Sequence, residues 1–500
     1  MVGNMERKLT LEQKAAVEAT EKNVLVSAAA GSGKTTVITE RLRFLIQDME
    51  VPAESIICIT YTRNAADEMK TRLNTMGVNA GFIGTIHAFA YDILGGGLDD
   101  GKEFELYSSR HEQMYHKYLI EKYAKYITYD RWQHYIMLEN KLLRGEVDED
   151  IVNTYLNLYE ETELNLMNGV MYCRSGKEYT KDIVKEMWPH ETVIDLCRRD
   201  NVISFDELIR RATEYFNKKG VPLEHILVDE FQDVGQLEYK FIQSLHAKNY
   251  YFCGDDYQSI YGFKGAEPKI FLSCAKSKDF KVYKLTKNFR CDQSILTFAN
   301  KIIEGVPNNE KLSKVVVGNS KEVGSTQMIS YNEYELLDDI KHLKDTEKKD
   351  VFILTRSNGD LNMLKTHLKA AKIDCLTFRQ AELTNEEIRV AMESPIIKLL
   401  TIHSAKGLEA SKVYLVGNFS IMPPQWQIDN YNRSIAEGKK PEYNVWEEQR
   451  VFYVGATRAK HFLKIFNKRN QKSNSRNVVS VESMLSIADA RKRKFSYAYK

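Results

Sequence analysis

The stretch NVLVSAAAGSGKTT, residues 23–36, decides the architecture. An apolar run passes into small residues, then a turn with Gly31 and Gly33, then Lys34-Thr35-Thr36 at the head of a helix-length segment. A strand that empties into a glycine turn and a helix is the context of a phosphate-binding loop. The glycines let backbone N–H groups turn inward around phosphate oxygens, at the positive end of the helix dipole. The expected nucleotide contacts are Ala30, Gly31, Ser32, Gly33, Lys34, Thr35 and Thr36. Lys34 is placed for the β and γ phosphates of ATP, and Thr35 offers a hydroxyl to Mg²⁺. Ala28 stands where the strict pattern has its first glycine.

A second stretch, HILVDEFQD at residues 225–233, ends an apolar strand in a cluster of acids. Like charges repel, so the cluster needs a cation. Asp229 is the expected Mg²⁺ ligand beside Thr35, which leaves Glu230 to orient or deprotonate an attacking water.

Around these two stretches the texture is α/β. NVLVSAAA and SIICITYT read as buried parallel strands followed by helices. From about residue 103 to 199 the chain turns tyrosine-rich and helical with no strand pattern, and the strands return at HILVDEFQD and NYYFCGDDYQSIYGF. A chain that leaves a parallel sheet and comes back carries an inserted domain. The expected division is 1–94 with 201–280 as a first nucleotide-binding domain, 95–200 as a helical insertion, 281–470 as a second α/β domain, and 471–500 as a basic tail.

Composition narrows the class. Five hundred residues exceed one ordinary core. A formal charge of +2 supplies no global field, so any nucleic-acid site is a local basic or aromatic groove. No apolar run approaches the roughly 20 residues needed to span a bilayer, and the N-terminal segment lacks a signal-peptide core. Seven cysteines form an odd set without a CxxC pair and read as reduced packing residues in a cytoplasmic protein.

Taken in order, the remaining motifs resemble those of the UvrD/Rep-type superfamily 1 DNA helicases. LTLEQKAAV (9–17) looks like the adenine-reading segment, with Gln13 as reader. TYTRNAADEMKTR, beginning at Thr60, is similar to the family's T-F-T-N-K-A-A segment and implies DNA contacts at Thr60 and Tyr61, with Arg63-Asn64 inverting the usual order. GTIHAF (84–89) offers His87 to DNA and SFDELI (204–209) offers Phe205. GDDYQSIYGFKGAE (254–267) implies Gln258 as the γ-phosphate sensor, Tyr261 and Phe263 as rings presented to bases, and Lys264 as a further DNA contact. Phe263 stands where Trp is frequent and Lys264 where Arg is usual.

LTKNFR (285–290) implies Phe289 against adenine and Arg290 at the γ-phosphate. TIHSAKGLEASKV (401–413) implies Glu409 at the ribose, with Thr401 and His403 on the nucleic-acid backbone. EEQRVFYVGATRAK (447–460) supplies Arg458 as the second γ-phosphate arginine. Only QAELTNEEIRVAMES (380–394) occupies the place where larger relatives insert a fourth domain.

The resemblance implies two RecA-like P-loop domains with parallel sheets, a helical insertion in the first and a fourth domain reduced or absent. It also implies ATP- and Mg²⁺-dependent 3′→5′ movement on single-stranded DNA or on a partial duplex with a 3′ overhang. The compact size and basic tail also permit a helicase-like ATPase subunit that acts mainly as a nucleotide-dependent module for a nuclease or a replication or repair protein. Stacking tolerates RNA as well. A small-molecule kinase leaves the motifs after residue 280 unexplained.

Overall fold

The computed structural model describes residues 9–95, 103–118 apart from 109, 112 and 116, 164–167, 170–173, 178–179, 193–219, 223–319, 323–420, 423, 425–436 and 444–468. The chain divides into two compact units, Met1–Ile86 with Pro222–Tyr239 and His246–Lys500, and His87–Val221 with Lys240–Leu245.

The first unit holds two six-stranded, all-parallel sheets. Six strands build the first: β1 (Asn23–Ala28), β2 (Ile56–Thr60), β3 (Phe82–Thr85), β4 (His225–Val228), β5 (Asn249–Gly254) and β6 (Lys281–Leu285). Their spatial order is β6-β1-β5-β4-β2-β3. β1 is buried from its second residue onward and β2 throughout, as continuous apolar runs in a sheet covered on both faces require. Against this sheet pack α1 (Leu11–Val17), α2 (Lys34–Arg43) and α3 (Arg63–Thr75), burying Val17, Leu42, Met69 and Leu73 with Val24, Val26 and Cys58. Thr10 and Gln13 form a capping box that starts α1, and Thr62 caps α3.

The second sheet contains β7 (Ser325–Ser330), β8 (Val351–Thr355), β9 (Cys375–Leu376), β10 (Ile397–Thr401), β11 (Ala410–Gly417) and β12 (Ala459–Asn467), ordered β7-β12-β11-β8-β10-β9. The helices α4 (Gln293–Glu304), α5 (Asn385–Glu393) and α6 (Glu447–Ala456) accompany it. Its core joins Phe298, Phe352, Leu400, Leu415, Phe452 and Tyr453 to Ala29, Ala30, Tyr257 and Ile260, so the nucleotide loop and the 254–267 segment are packed into the second core.

Two sequence expectations need correction. The boundary expected at residue 281 falls inside the first sheet, because Val24–Ala28 pair with Lys281–Leu285. The insertion, expected to lack strands, contains a three-stranded antiparallel sheet of 164–167, 170–173 and 178–179, and Glu105–Leu106 pairs with Val202–Ile203. Most of the remaining insertion, and the whole tail from 471, lie outside the described residues.

In the second unit, helix Phe205–Lys219 buries Leu208, Ile209, Ala212 and Phe216, with Phe216 against Phe89 and Phe241. Where a fourth domain was expected to be reduced, residues 380–393 hold one 3₁₀ turn and the nine-residue α5. Among the described residues, no helix is long and apolar enough to cross a membrane. There, six cysteines are free and no cluster of His, Cys, Asp or Glu could by itself hold a metal.

Candidate nucleotide and nucleic-acid site

The loop leaving β1 turns twice through left-handed backbone, at Gly31 (φ +64°) and Gly33 (φ +84°). Glycine is required there for space as well as conformation. A Cβ on Gly31 would lie 2.8 Å from Arg290 Cβ, and one on Gly33 would lie 2.8 Å from Gln13 Nε2. Two segments distant in sequence therefore close on the loop. Asn288 Nδ2 donates to Ala30 O at 2.6 Å and Phe289 N–H to Gly31 O at 2.9 Å. Gln13 donates from Nε2 to Ser32 O at 2.9 Å while its Oε1 accepts from Thr10 N–H. One bond at each end orients that amide and leaves its second N–H and second lone pair for a base edge. Ser32 Oγ is buried without a hydrogen-bond partner among the described residues. Thr35 and Thr36 are half-buried in the first turn of α2.

β4 delivers the acids. The Asp229 N–H donates to Ile59 O, extending the ladder to the first carboxylate. Glu230 then takes a left-handed conformation (φ +51°), uncommon for a residue with a Cβ, and its N–H donates to Asp229 Oδ1 at 2.8 Å. That kink brings Glu230 Oε2 within 2.8 Å of Lys34 Nζ. Burial and the adjacent Glu230 push Asp229 upward, and Lys34 offsets them only in part. Burial would raise Glu230 too, but Lys34 and Lys406 outweigh it and hold it ionised. Burial disfavours the charge on Lys34, yet Glu230, Asp229 and Asp255 together raise it. Asp233 is pushed up to about 6, chiefly by burial.

A surplus of buried negative charge centres on Asp229. A divalent ion held by Thr35 and Asp229 fits this donor set, since Mg²⁺ takes one or two protein oxygens plus phosphates.

Two arginines come from segments beside the second sheet, Arg290 ahead of α4 and Arg458 between α6 and β12. Arg290 donates from Nε to Glu409 at 2.5 Å and from Nη1 to Thr457 O at 3.2 Å. Glu409 is also paired with Lys460 at 2.9 Å, so the carboxylate expected at a ribose is here held by two cations. Arg458 is fully buried, and among the described residues its hydrogen bonds go to neutral oxygens: Val454 O, Leu408 O, Thr457 Oγ1 and Gln258 Oε1 at 3.2 Å. Burial and the neighbouring Arg290 push it down to about 9. Two guanidinium groups in this setting call for an anion. Phe289 is half exposed beside the loop, with Lys287 over its ring.

Three residues beyond Gln258 the chemistry becomes aromatic. Tyr61 and Tyr261 stack at 5.4 Å and 11°. Phe263, 60% exposed, stands edge-on to Tyr261 and to His403. Lys264 lies 4.9 Å from the Tyr261 ring centre and Lys406 lies 4.6 Å from it. Burial pushes His403 down to about 4, and its Nε2 lies 3.2 Å from Ile260 O. Thr401 Oγ1 caps the following turn by accepting Ser404 N–H.

Thr60, expected at DNA, is buried at the end of β2, where its hydroxyl donates to Thr62 O. In the second unit, His87 stands edge-on to the exposed Phe205 at 4.9 Å and is likewise pushed down to about 4 by burial.

Sequence reasoning missed four polar residues that organise the site. Gln232 donates to Glu230 and Asp233 and accepts Asp255 N–H. Asn288 staples the arginine segment to the loop through Ala30. Lys406 bonds Asp233 and, at 2.8 Å, Gln258 O. Lys314, the fourth, pairs with Asp255 and Asp256. The first three lie within motifs already singled out, so their position was the available signal. Asn64 faces the 380–394 segment, donating to Leu383 O and accepting from Asn385.

The family model described as the UvrD/REP helicase N-terminal domain matches residues 9–280, and the UvrD-like helicase C-terminal domain matches 283–392 and 376–470. A probable DNA helicase of Mycoplasma pneumoniae is 27% identical over 484 residues, covering 91% of this chain and 82% of that protein. DNA helicase II of Haemophilus influenzae is 30% identical across 61% of this chain and 41% of its own. ATP-dependent DNA helicase Rep of Buchnera aphidicola subsp. Schizaphis graminum is 28% identical across 72% and 55%. The chain thus spans most of the first relative but about half of the other two.

Proposed function

This chain belongs to the UvrD/REP helicase family, and from that premise we propose that it hydrolyses ATP to drive its own movement along single-stranded DNA, travelling 3′→5′. The reading rests chiefly on one observation. Lys34 at the head of α2 pairs with Glu230 after β4, Arg290 closes on Gly31, and Gln258 bonds Arg458 three residues before the aromatic cluster.

In this reading Lys34 carries the charge of the outer phosphates and leaves Glu230 when they arrive. Glu230, ionised and set by its kinked backbone, orients the attacking water and draws its proton. Arg290 and Arg458 neutralise the charge that develops on the transferred phosphoryl group. Mg²⁺, when bound at Thr35 and Asp229, supplies Lewis-acid polarisation of the phosphate oxygens. Phe289 and Gln13 flank the base. The domain division follows the same reading: two RecA-like domains, the first ending with β6 at Leu285.

Coupling runs through Gln258. Its side chain meets Arg458, its carbonyl meets Lys406, and Lys406 lies on the ring of Tyr261. Tyr61, Tyr261 and Phe263 offer stacking faces, which grip any base without reading sequence. DNA is the substrate named for the relatives, and it is the polymer proposed here.

Steady-state hydrolysis with and without oligo-dT tests the reading: turnover should rise with the oligonucleotide, and a rate indifferent to it at saturation contradicts the coupling. Phe263→Ala should leave basal turnover near wild type and raise the oligo-dT concentration for half-maximal stimulation. One lost stack of about 1–3 kcal/mol corresponds to roughly 5- to 150-fold.

A further inference from the structure

Lys314 lies outside every motif, yet its side chain is wholly buried with two buried carboxylates. Nζ is 2.7 Å from Asp255 Oδ1, 2.8 Å from Asp256 Oδ1 and 3.0 Å from Ser27 Oγ, and it sits 4.3 Å from the Tyr257 ring centre. The lysine backbone is pinned as well. Tyr257 Oη donates to Lys314 O and accepts its N–H, while Leu312 N–H donates to Asp256 Oδ2. Burial disfavours the lysine charge, but the two aspartates outweigh it and raise Lys314 above its ordinary value.

Asp255 has its oxygens assigned separately. Oδ1 meets Lys314 and the Tyr257 N–H, and Oδ2 accepts Gln258 Nε2 at 2.6 Å. A primary amide whose nitrogen is held by an acid must present its oxygen elsewhere. Gln258 Oε1 accordingly faces Arg458 Nη2. With the amide reversed, a donor would confront a donor. We propose that Lys314 is a positioning residue for hydrolysis, fixing Asp255 so that Gln258 keeps its oxygen toward Arg458 and its backbone in register with β1 through Ser27.

The proposal rests on the hydrolysis reading above and adds a relay to it. A buried ion cluster with only a structural role would affect folding and leave the Gln258 step alone. A misplaced group near reacting atoms costs on the order of 10²-fold in rate, so the relay predicts a loss in kcat and little change in KM for ATP.

The test is a double-mutant cycle on the full chain, reading DNA-stimulated kcat and KM for wild type, Lys314→Met, Gln258→Ala and the pair, with thermal melts confirming folding. Lys314→Met should lower kcat about 10- to 100-fold, and the pair should be no slower than Gln258→Ala alone. Multiplying losses, or an unchanged kcat in Lys314→Met, overturn the relay. Should Lys314→Met not fold, Lys314→Arg enters the same cycle. It keeps the charge, but its planar fork cannot reproduce a point contact with three oxygens, so kcat should again fall only where Gln258 is present. A wild type without DNA-stimulated hydrolysis overturns the functional reading itself, an outcome separate from failure of the cycle.

Discussion

Arg458→Ala is expected to lower kcat for ATP by about 10³–10⁵-fold, the range for removing an arginine that neutralises a transferring phosphoryl group. The geometry explains why so much depends on one side chain. Arg458 is buried, lies beside Arg290, and has neutral oxygens as its hydrogen-bond partners among the described residues. Among the described residues no carboxylate hydrogen-bonds it, although Glu409 favours its charge from nearby, and its fork is available for an anion. Arg290 differs, because Glu409 already shares its charge. Arg290→Ala should accordingly cost less than Arg458→Ala. Arg458→Lys keeps the charge but loses the fork that bonds Gln258, Val454 and Leu408 together, so it should recover little of the rate. Single-turnover hydrolysis, with thermal melts as a folding control, checks these expectations. Near-normal turnover in Arg458→Ala would remove that residue from the mechanism.

Lys34→Ala is expected to lower turnover by about 10²–10³-fold, as for loss of a directed charge contact in an active site. It should also weaken nucleotide binding and lower the melting temperature of the nucleotide-free protein. The second effect arises because Glu230 and Asp229 lose one of the cations that offset them, in a pair that is partly shielded from water. Glu230→Gln separates the two contributions. The neutral amide no longer competes for Lys34, so nucleotide should bind at least as tightly as in wild type while turnover collapses. Titration with a fluorescent ATP analogue alongside steady-state hydrolysis distinguishes the variants. If Glu230→Gln turned over normally, the assignment of that acid to the water would be wrong.

What the sequence made legible was local. β1, its glycine turn and α2 are contiguous, and an apolar run followed by GSGKT carries its own geometry. The acids at the end of β4 announced their need for a cation by spacing alone, and Lys34 supplies part of it.

What stayed hidden was long-range or exposed. β6, KVYKL, is an edge strand, half-exposed over most of its length, and its lysines obscure the pairing with β1 that puts it in the first sheet. The strand pairs of the insertion involve short segments without alternation strong enough to separate them from helix. Lys314 meets Ser27 across 287 residues, and no periodicity encodes such a meeting. The bond from the Thr60 hydroxyl to Thr62 O, which closes the turn after β2, likewise has no mark in the sequence. Asn64 meets the 380–394 segment across more than 300 residues, a contact that is equally silent in the sequence.

Motion along a strand is the central claim, and displacement of streptavidin from biotinylated oligo-dT tests it without requiring unwinding. ATP-dependent release from the 5′ end, with none from the 3′ end and none for Lys34→Ala, is the predicted result. Retention at both ends, in a preparation that hydrolyses ATP at its DNA-stimulated rate, would contradict it.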